Sequence, residues 1–184
     1  MGKKGLTASV TKHNVTMEDI SSFVKDNVVK FIFLDKQYSD ISSDTAIDEI
    51  HKFKSVYRGN TYIRVPLKIV KGEDDKYARG IEVDTSDNPQ GFAVVSKHDL
   101  RDLSPEMKKA KKDERVAFGE ELCKKHINML NKYLTNNVLR IVIKDIDGSV
   151  LDSRLVTGGK DFTTLNNEIR EIVEEVNDRK TEII

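Results

Sequence analysis

The sequence predicts an α+β fold with a mainly antiparallel sheet, and three observations support this prediction. A continuous helical stretch runs from Ser104 to about Thr135, three short strands follow one another between residues 61 and 95, and a hairpin covers residues 138–156. Short connections between consecutive strands are typical of antiparallel sheets, whereas parallel strands need long crossover segments. We therefore expect a three-strand meander and a C-terminal hairpin, packed against one long helix and two to three shorter helices.

The start of the chain combines a polar arm with a helix and a strand. Residues 1–15 are polar and are expected to form a flexible N-terminal arm. Thr16 and Asp19 have the spacing of a capping box, and the apolar positions that follow predict a short amphipathic helix to about Lys25. Val28–Leu34 is almost entirely β-branched or aromatic, which is typical of a strand that is buried on both faces.

The helix, turn and strand over residues 16–35 end in Phe31-Ile32-Phe33-Leu34-Asp35. This stretch locally resembles the opening of the small N-terminal domain of glutamine synthetases. The resemblance is confined to these residues, and the chain is far too short to hold the catalytic domain of that family. What the resemblance implies is therefore the local helix–turn–strand structure alone.

The middle of the chain predicts one short helix and three strands. Ser39–Asp44 is a polar loop, and Asp44 or Ser43 can cap a helix that ends near Val56. The strand-like segments and the turns between them are Thr61–Val70, Gly72–Asp75, Ala78–Val83, Asn88–Gly91 and Phe92–Val95. Pro66 lacks an N–H donor for a sheet ladder, so we expect its strand to lie at an edge of the sheet or to contain a bulge.

The second half of the chain predicts the long helix and the hairpin. From Val116 onward, the apolar residues of the Ser104–Thr135 helix recur at spacings of three, four and seven, which predicts that it packs on the core. Asp147-Gly148 can supply the two positive-φ positions of a tight turn. Val138–Asp145 and Val150–Val156 are therefore predicted to form a hairpin.

The composition favours a globular chain in a reducing compartment. We expect one α+β domain over residues 16–184, and the 31 basic and 31 acidic side chains cancel to a formal net charge of +0, so bulk charge indicates no particular partner. Cys123 is the single cysteine, which excludes an intramolecular disulfide framework. Because the sequence has no run of 18 apolar residues, no apolar leader and no cofactor motif, we expect a cytoplasmic protein without a membrane segment or a cofactor.

A group of lysines lies at the start of the long helix. Its members are Lys108, Lys109, Lys111 and Lys112. They point in several directions around the helix, so this end is expected to lie in solvent. Cations near a helix N-terminus oppose its dipole, whereas a nucleic-acid phosphate backbone would attract them. Acidic residues follow at once and no aromatic residue interleaves the lysines, so the alternative is a solvated charged surface.

Thr157-Gly158-Gly159-Lys160 lies between a predicted strand and a helix N-terminus, where free amide groups and a lysine can hold a phosphate or a carboxylate. The segment fails as a P-loop because Arg154 and Asp161 stand where that motif has glycine and serine or threonine. Gly158, Gly159 and Lys160 are therefore candidate anion-binding residues, with a plain strand exit as the alternative.

His98 and Asp99 place a candidate general base beside a carboxylate at the end of a predicted strand. No serine or cysteine in a strained-turn nucleophile motif accompanies them. An enzyme would require His98-Asp99 and the Gly158–Lys160 loop to converge in one pocket. The alternative is a polar strand exit that leads into the Ser104 cap.

Two further patterns resemble parts of metal sites. Asp145 and Asp147 begin like a calcium loop, but Thr157 stands where a bidentate glutamate is required. Cys123 and His126 lie three residues apart on one helical face, but no second pair has ligand spacing. We therefore expect no metal site, and we assign the aspartates to the turn and Cys123 to the core.

The last helix, predicted from Asp161 to about Arg179, carries a narrow apolar stripe and an acidic outer face. The acidic residues of that face are Glu168, Glu171, Glu174, Glu175 and Asp178. Such a helix packs on its own domain, or pairs with a second copy or another protein. Glu168, Glu171 and Glu175 are therefore candidate partner-binding residues, with intramolecular packing as the alternative.

These observations favour a non-enzymatic protein-binding or assembly component as the first hypothesis. No nucleotide loop, metal set or nucleophile motif is present, while charged helices and expected edge strands offer surfaces for self-association or a protein partner. The frequent use of Lys, Asn, Ile and Asp is compatible with a viral or phage gene. A nucleic-acid-binding protein that uses the lysine-rich helix start is the second hypothesis, and a small-molecule-binding protein or enzyme at His98-Asp99 or Gly158–Lys160 is the third.

Overall fold

The computed structural model of the chain describes residues 5–72 and 78–181. In chain order its elements are β1 (Thr7–His13), α1 (Met17–Asp26), β2 (Lys30–Phe33), a 3₁₀ helix (Lys36–Ile41), α2 (Ile50–Val56), β3 (Tyr62–Lys71), β4 (Ala78–Val83), β5 (Gly91–Ser96), α3 (Lys97–Leu103), α4 (Pro105–Lys109), α5 (Lys112–Leu134), β6 (Val138–Lys144), β7 (Val150–Thr157) and α6 (Phe162–Thr181). The fold is α+β with antiparallel sheets, which confirms the predicted fold class. Of the turn predicted at Gly72–Asp75, residues 73–75 lie outside the described part of the chain.

The chain divides into two compact units. The central unit is Thr16–Thr135, and the terminal unit combines Met1–Val15 with Asn136–Ile184. The central unit holds a four-stranded sheet and helices α1 to α5, and the terminal unit holds a three-stranded sheet and α6. The single domain expected over residues 16–184 stays a prediction.

The sheet of the central unit has the strand order β2-β5-β3-β4, and each neighbouring pair is antiparallel. The three strands expected as a meander therefore have β3, not β4, at their centre. Burial explains this order, because Gly91–Val95 of β5 is buried at every position whereas β4 exposes several of its residues. An apolar strand is favoured in the interior of a sheet, while a more polar strand tolerates the edge.

Strand β3 is internal rather than an edge strand, although its ladder shifts register between Val70 and Lys71. The carbonyl oxygen of Pro66 accepts the Asp84 N–H at 2.8 Å, so this side of Pro66 faces the point where β4 has ended. The regular β3–β4 pairing starts at the next residue, Leu67. Proline is thus accommodated because one partner strand does not extend past it.

Both faces of this sheet are covered. Helix α5 approaches one face so closely at Gly119 that a Cβ atom there would lie 2.3 Å from Cδ1 of Ile63. The opposite face carries a cluster in which Phe53 stacks on Phe92, with ring centroids 3.9 Å apart. At the edge of the sheet, the Asn131 side chain donates to the Ile81 carbonyl oxygen at 2.9 Å and accepts the Ile81 N–H at 2.8 Å. Asn131 thereby satisfies main-chain groups of the edge strand β4.

The predicted long helix over Ser104–Thr135 is broken. Residues 105–109 form α4, and α5 begins only at Lys112, because Ala110 has an extended ψ of 148°. In a continuous helix Lys108 would lie one turn from Lys112, and like charges at that spacing destabilise a helix. The break takes the two lysines out of this helical spacing, and the Arg115 side chain donates from Nε to the carbonyl oxygen of Ala110 at 3.1 Å.

Two other helices differ from the prediction. Residues 97–103, expected as a polar strand exit, form α3, of which only Leu100 is buried. One buried residue gives no apolar periodicity, so the helix lacks a periodic signal in the sequence. The helix expected to start at Asp44 begins at Ile50, because the Asp44 carboxylate accepts the Ala46 N–H in a turn.

In the terminal unit the strand order is β1-β6-β7, and both pairs are antiparallel. The flexible arm expected over residues 1–15 is corrected, because Thr7–His13 pairs with β6 along its whole length; residues 1–4 lie outside the described part of the chain. Threonine and valine in this segment suit a strand. Helix α6 packs on the sheet through a cluster that includes Ile141, Ile143, Ile172 and Val176.

The β6–β7 hairpin is confirmed, but its turn is longer than the predicted two residues. Gly148 has the positive φ expected of it, 83°, whereas Asp147 has a negative φ. The Asp145 carboxylate accepts the main-chain N–H groups of Asp147 at 3.0 Å and of Ser149 at 2.9 Å. The turn role assigned to Asp145 is therefore confirmed, within a loop that has one left-handed glycine.

Candidate functional site

A cleft in the central unit is lined almost wholly by cationic side chains and main chain. Its lining residues are Gly59, Asn60, Lys97, Arg101, Lys112 and Arg115. Four of these six residues are basic and none is acidic. We call this site the basic cleft. Four cations that share one cleft repel each other, and a bound anion would relieve this repulsion.

Helix α3 positions two of the cations. The Ser96 hydroxyl caps the helix by accepting the N–H groups of His98 at 3.0 Å and Asp99 at 3.2 Å. Lys97 and Arg101 are four residues apart, which puts both side chains on the same face of α3. The cap therefore fixes the orientation of the basic face relative to the end of β5.

The loop before β3 forms another wall of the cleft. The Nζ atom of Lys97 donates to the carbonyl oxygens of Gly59 at 2.9 Å and Asn60 at 3.0 Å, and the Lys97 main-chain N–H donates to Thr61 at 2.9 Å. These bonds hold the loop against α3. These bonds go to carbonyl oxygens, and no ion pair of Lys97 is found among the described residues.

Helix α5 supplies the other two cations from its first turn. Arg115 is half-buried and bonded to Ala110, whereas Lys112 is exposed. Within the described part of the chain, no hydrogen bond or ion pair engages the side chains of Lys112 or Arg101. The positive end of the α5 dipole lies at the same place and adds to the potential.

The lysines predicted as a nucleic-acid-binding group are all exposed, as expected. Lys108 and Lys109 belong to α4, Lys111 precedes α5, and only Lys112 lines the basic cleft. The Lys111 N–H donates to the Glu114 carboxylate at 2.8 Å, which starts α5. The structure therefore divides the group and joins Lys112 to cations from elsewhere in the sequence.

A second pocket borders the same loop and the same end of α3. Its lining includes Lys30, Tyr57, Tyr62, His98 and Asp99, and we call it the aromatic pocket. The rings of Tyr57 and Tyr62 meet edge to face, with centroids 5.1 Å apart and an interplanar angle of 76°. Burial, and to a lesser extent Asp44 and Tyr62, raises the pKa of Tyr57 to about 12, so its hydroxyl is neutral at ordinary pH.

His98 and Asp99, predicted as a base and its orienting carboxylate, line this pocket but do not form that pair. The Nδ1 atom of His98 lies 3.3 Å from the Asp102 carboxylate and 3.9 Å from that of Asp99. The His98 side chain is 79% exposed. The Ser96 hydroxyl is engaged as the cap of α3. His98-Asp99 belongs to the central unit and Gly158–Lys160 to the terminal unit, so their convergence stays a hypothesis.

In the terminal unit, the polar groups of the predicted anion-binding loop Gly158–Lys160 are bonded to other residues of the same unit. The ammonium group of Lys160 forms an ion pair with Glu168 of α6. The Gly158 N–H donates to the Asn137 carbonyl oxygen at 2.9 Å, and Gly159 has a φ of 77°. The Asp161 carboxylate accepts the Thr164 N–H at 2.9 Å and its hydroxyl at 2.8 Å, and these bonds lower the pKa of Asp161. An internal carboxylate thus occupies the start of α6.

The acidic face of α6 is also partly engaged within the unit. Arg154 of β7 lies between two carboxylates, with Nη2 2.9 Å from Asp152 and 2.5 Å from Glu175. Arg179 lies 2.5 Å from the same oxygen of Asp152. Of the three candidate partner-binding residues, Glu168 and Glu175 are therefore in ion pairs, and Glu171 is exposed.

Cys123 and His126 are both buried in the central unit. The Cys123 thiol faces the Ala93 carbonyl oxygen at 3.8 Å, and burial, then Glu120, raises its pKa to about 12. The Nδ1 atom of His126 lies 2.9 Å from the Leu122 carbonyl oxygen. The core role expected for Cys123 is confirmed. In the described ranges, no three His, Cys, Asp or Glu residues are grouped so that they could hold a metal ion.

No protein-family model, curated protein or solved structure matches this chain. In residues 5–72 and 78–181, no helix combines the length and the apolar character that crossing a membrane requires. Any function assigned to the chain therefore depends on the geometry of its own residues.

Three cations of the basic cleft, Lys97, Arg101 and Arg115, are missing from the sequence-based candidates. The four-residue spacing of Lys97 and Arg101 is one helical turn, which is informative only once α3 is recognised as a helix. Arg101 also has acidic neighbours in the sequence, so the segment does not stand out as basic. The contact between Lys97 and Asn60 has no sequence signal, because it joins residues far apart in the chain.

Proposed function

We propose that the protein binds the phosphate backbone of a nucleic acid in the basic cleft. The observation that carries this proposal is that cations from α3 and α5 line one cleft without any acidic side chain. Each cation that contacts a phosphate releases a condensed counterion, which favours binding. Arg101 and Lys112 are exposed, and their side chains are free of hydrogen bonds and ion pairs among the described residues.

The other charged candidates offer less to an anion or a partner. Lys160 is paired with Glu168, and Glu175 is paired with Arg154, so each charge already has a counterion. Exposed ion pairs contribute little energy, but a ligand would still have to displace them. The basic cleft carries no such internal competitor in its lining.

The test is a titration of a fluorescently labelled oligonucleotide at low salt, followed by anisotropy. We expect the wild-type protein to bind and the Arg101→Ala/Lys112→Ala variant to bind on the order of tenfold more weakly, because two phosphate contacts are lost. The matched control is Lys124→Ala/Lys125→Ala, which removes the same charge from exposed positions of α5. No binding by the wild type, or equal weakening in both variants, contradicts the proposal.

Assembly through strand β1 is a second candidate function, and it corresponds to a protein-binding component. Strand β1 lies at an edge of its sheet and is exposed from Thr7 to Lys12. An exposed edge strand can pair with a strand of another chain. Val10, 37% exposed, gives the strand an apolar side chain. The partner in this candidate is a second copy of the chain.

Light scattering tests this second candidate. The wild type is expected to be a dimer at both low and high salt, because main-chain hydrogen bonds dominate strand pairing. Val10→Lys is expected to give a monomer, while Val150→Lys, a matched change at an exposed valine of β7, leaves the dimer intact. A monomeric wild type contradicts self-association through β1. A cytoplasmic location and a viral or phage origin stay predictions.

A further inference from the structure

The loop at residues 57–62 joins the basic cleft to the aromatic pocket. The N–H groups of Thr61 and Tyr62 donate to the Arg58 carbonyl oxygen at 3.0 Å and 2.8 Å, so the loop folds back on itself. Its middle, at Gly59 and Asn60, lines the basic cleft. Its two ends, at Tyr57 and Tyr62, line the aromatic pocket. A single loop therefore presents main chain to one site and aromatic rings to the other.

Helix α3 forms a second shared wall. Lys97 lines the basic cleft, while the next two residues, His98 and Asp99, line the aromatic pocket. Consecutive helical residues point about 100° apart, so the first turn of α3 borders the basic cleft with one side and the aromatic pocket with another. A ligand that occupies both sites would place an anionic group next to Lys97 and a flat group next to Tyr62.

A series of packed aromatic rings supports the aromatic side of this surface. Phe92 stacks on Phe53 at 3.9 Å with an interplanar angle of 9°, and Phe53 stacks on Tyr57 at 5.3 Å with an angle of 30°. Tyr62 then packs edge to face on Tyr57. A ring that is fixed by such a stack loses little conformational freedom when a base packs on it. Lys30 and Asp99 at the same pocket offer a donor and an acceptor for the edge of a base.

We propose that the nucleic acid is single-stranded, with one unpaired base in the aromatic pocket and its flanking phosphates in the basic cleft. This inference rests on the proposed function of the basic cleft. A base in a duplex is stacked and paired inside the helix, so it cannot enter the pocket without being extruded. Grooves that bind single strands combine cations for the backbone with aromatic rings for the bases, and this surface has both components.

The test compares four probes by anisotropy or competition: a short single strand, prepared as both DNA and RNA, the same sequence as a duplex, inorganic polyphosphate, and a mononucleotide. The single strand is expected to bind most tightly, because only it offers linked phosphates together with an exposed base. Tyr62→Leu is expected to weaken single-strand binding on the order of tenfold and to leave polyphosphate binding unchanged. Phe162→Leu, which removes an exposed aromatic ring of α6, is the matched control.

A second readout uses the unaltered protein. The chain has no tryptophan, so its intrinsic emission comes from tyrosine. Saturation with the single strand is expected to quench this emission, and saturation with polyphosphate is not, because only a base stacks on the rings. Equal affinity for the duplex and the single strand, together with unchanged emission, overturns the single-strand inference but leaves the basic cleft as an anion site. A mononucleotide that binds as tightly as the strand also overturns it. If no polyanion binds at all, the proposed function itself fails.

Discussion

The ammonium group of Lys97 donates a hydrogen bond of 2.9 Å to the main-chain carbonyl oxygen of Gly59. This bond joins the first residue of α3 to the loop before β3, and it brings two walls of the basic cleft together. Among the described residues, the Lys97 ammonium group bonds to carbonyl oxygens and not to a carboxylate. The contact thus organises the cleft and places a cation in its lining.

The position of Lys112 leads to the first prediction. Lys112→Ala is expected to weaken oligonucleotide binding several-fold, because Lys112 lines the basic cleft. Lys108→Ala/Lys109→Ala removes more charge but from α4, outside the cleft lining, and is expected to have the smaller effect. Anisotropy titrations of the two variants at one salt concentration decide the matter. A larger loss in the α4 variant would show that the lysines act as a diffuse charged group rather than through the cleft.

Close packing at Gly119 leads to the second prediction. Alanine is the better helix former by about 1 kcal/mol, yet Gly119→Ala is expected to lower the free energy of unfolding by about 1 kcal/mol. The added Cβ would lie 2.3 Å from Cδ1 of Ile63 and 3.0 Å from Cδ1 of Leu100. Ile63→Val removes one of these atoms, so the double variant is expected to be more stable than the sum of the single effects. Urea unfolding measures all three variants, and strictly additive effects would exclude this contact as the cause.

The ion cluster of the terminal unit leads to a prediction about pH. Hydrogen bonds from Arg154, and then from Arg179, hold the pKa of Asp152 below its ordinary value of 3.8. A lowered pKa in the folded state means that the carboxylate stabilises the fold at pH values above 3.8, and that this stabilisation is lost as the pH falls through the folded-state pKa. Asp152→Asn is therefore expected to cost at most about 1 kcal/mol at neutral pH, because both arginine partners are partly exposed to solvent, and to flatten the acid limb of the stability profile.

Thermal unfolding at a series of pH values measures this effect. Asp147→Asn is the matched control, because Asp147 is exposed in the β6–β7 loop. The profile of this control is expected to follow that of the wild type. An Asp152→Asn profile that keeps the acid limb of the wild type would show that the ion cluster does not contribute to stability.

Burial of Cys123 predicts a slow reaction with thiol reagents. The thiol is fully buried and its pKa is raised to about 12, so the reactive thiolate is scarce in the folded protein. Near neutral pH, labelling by a maleimide is expected to proceed at the rate at which the central unit opens, and to be fast in denaturant. Ser149→Cys on a Cys123→Ala background supplies an exposed thiol for comparison. Equal labelling rates in the two folded proteins would contradict the assigned burial.

The elements that could be predicted from the sequence are those whose signal is local. The hairpin at Gly148, the capping box at Thr16 and the apolar stripe of α5 each depend on residues a few positions apart. The order of the strands depends on long-range pairing, such as that of Tyr62 with Ser96, and no local pattern encodes it. Strand β1 likewise lacks a local signal, because the strand that it pairs with among the described residues is β6, far along the chain.

The residues of the candidate site likewise differ in whether a local sequence pattern indicates them. Lys112 stands among other lysines and so carries a local signal, while Lys97 and Arg101 lie in a helix with one buried residue and no apolar periodicity. Tyr57 and Tyr62 carry no functional pattern in the sequence. Their rings form a candidate binding surface only when the loop folds back and brings them together.

Phosphate binding in the basic cleft is tested by the salt dependence of oligonucleotide binding. For the wild type, the logarithm of the association constant is expected to fall linearly with the logarithm of the salt concentration. Removal of two phosphate contacts in Arg101→Ala/Lys112→Ala is expected to reduce that slope by about 1.4 for a single strand, whereas Lys124→Ala/Lys125→Ala keeps the wild-type slope. An unchanged slope in the first variant would contradict phosphate binding in the basic cleft.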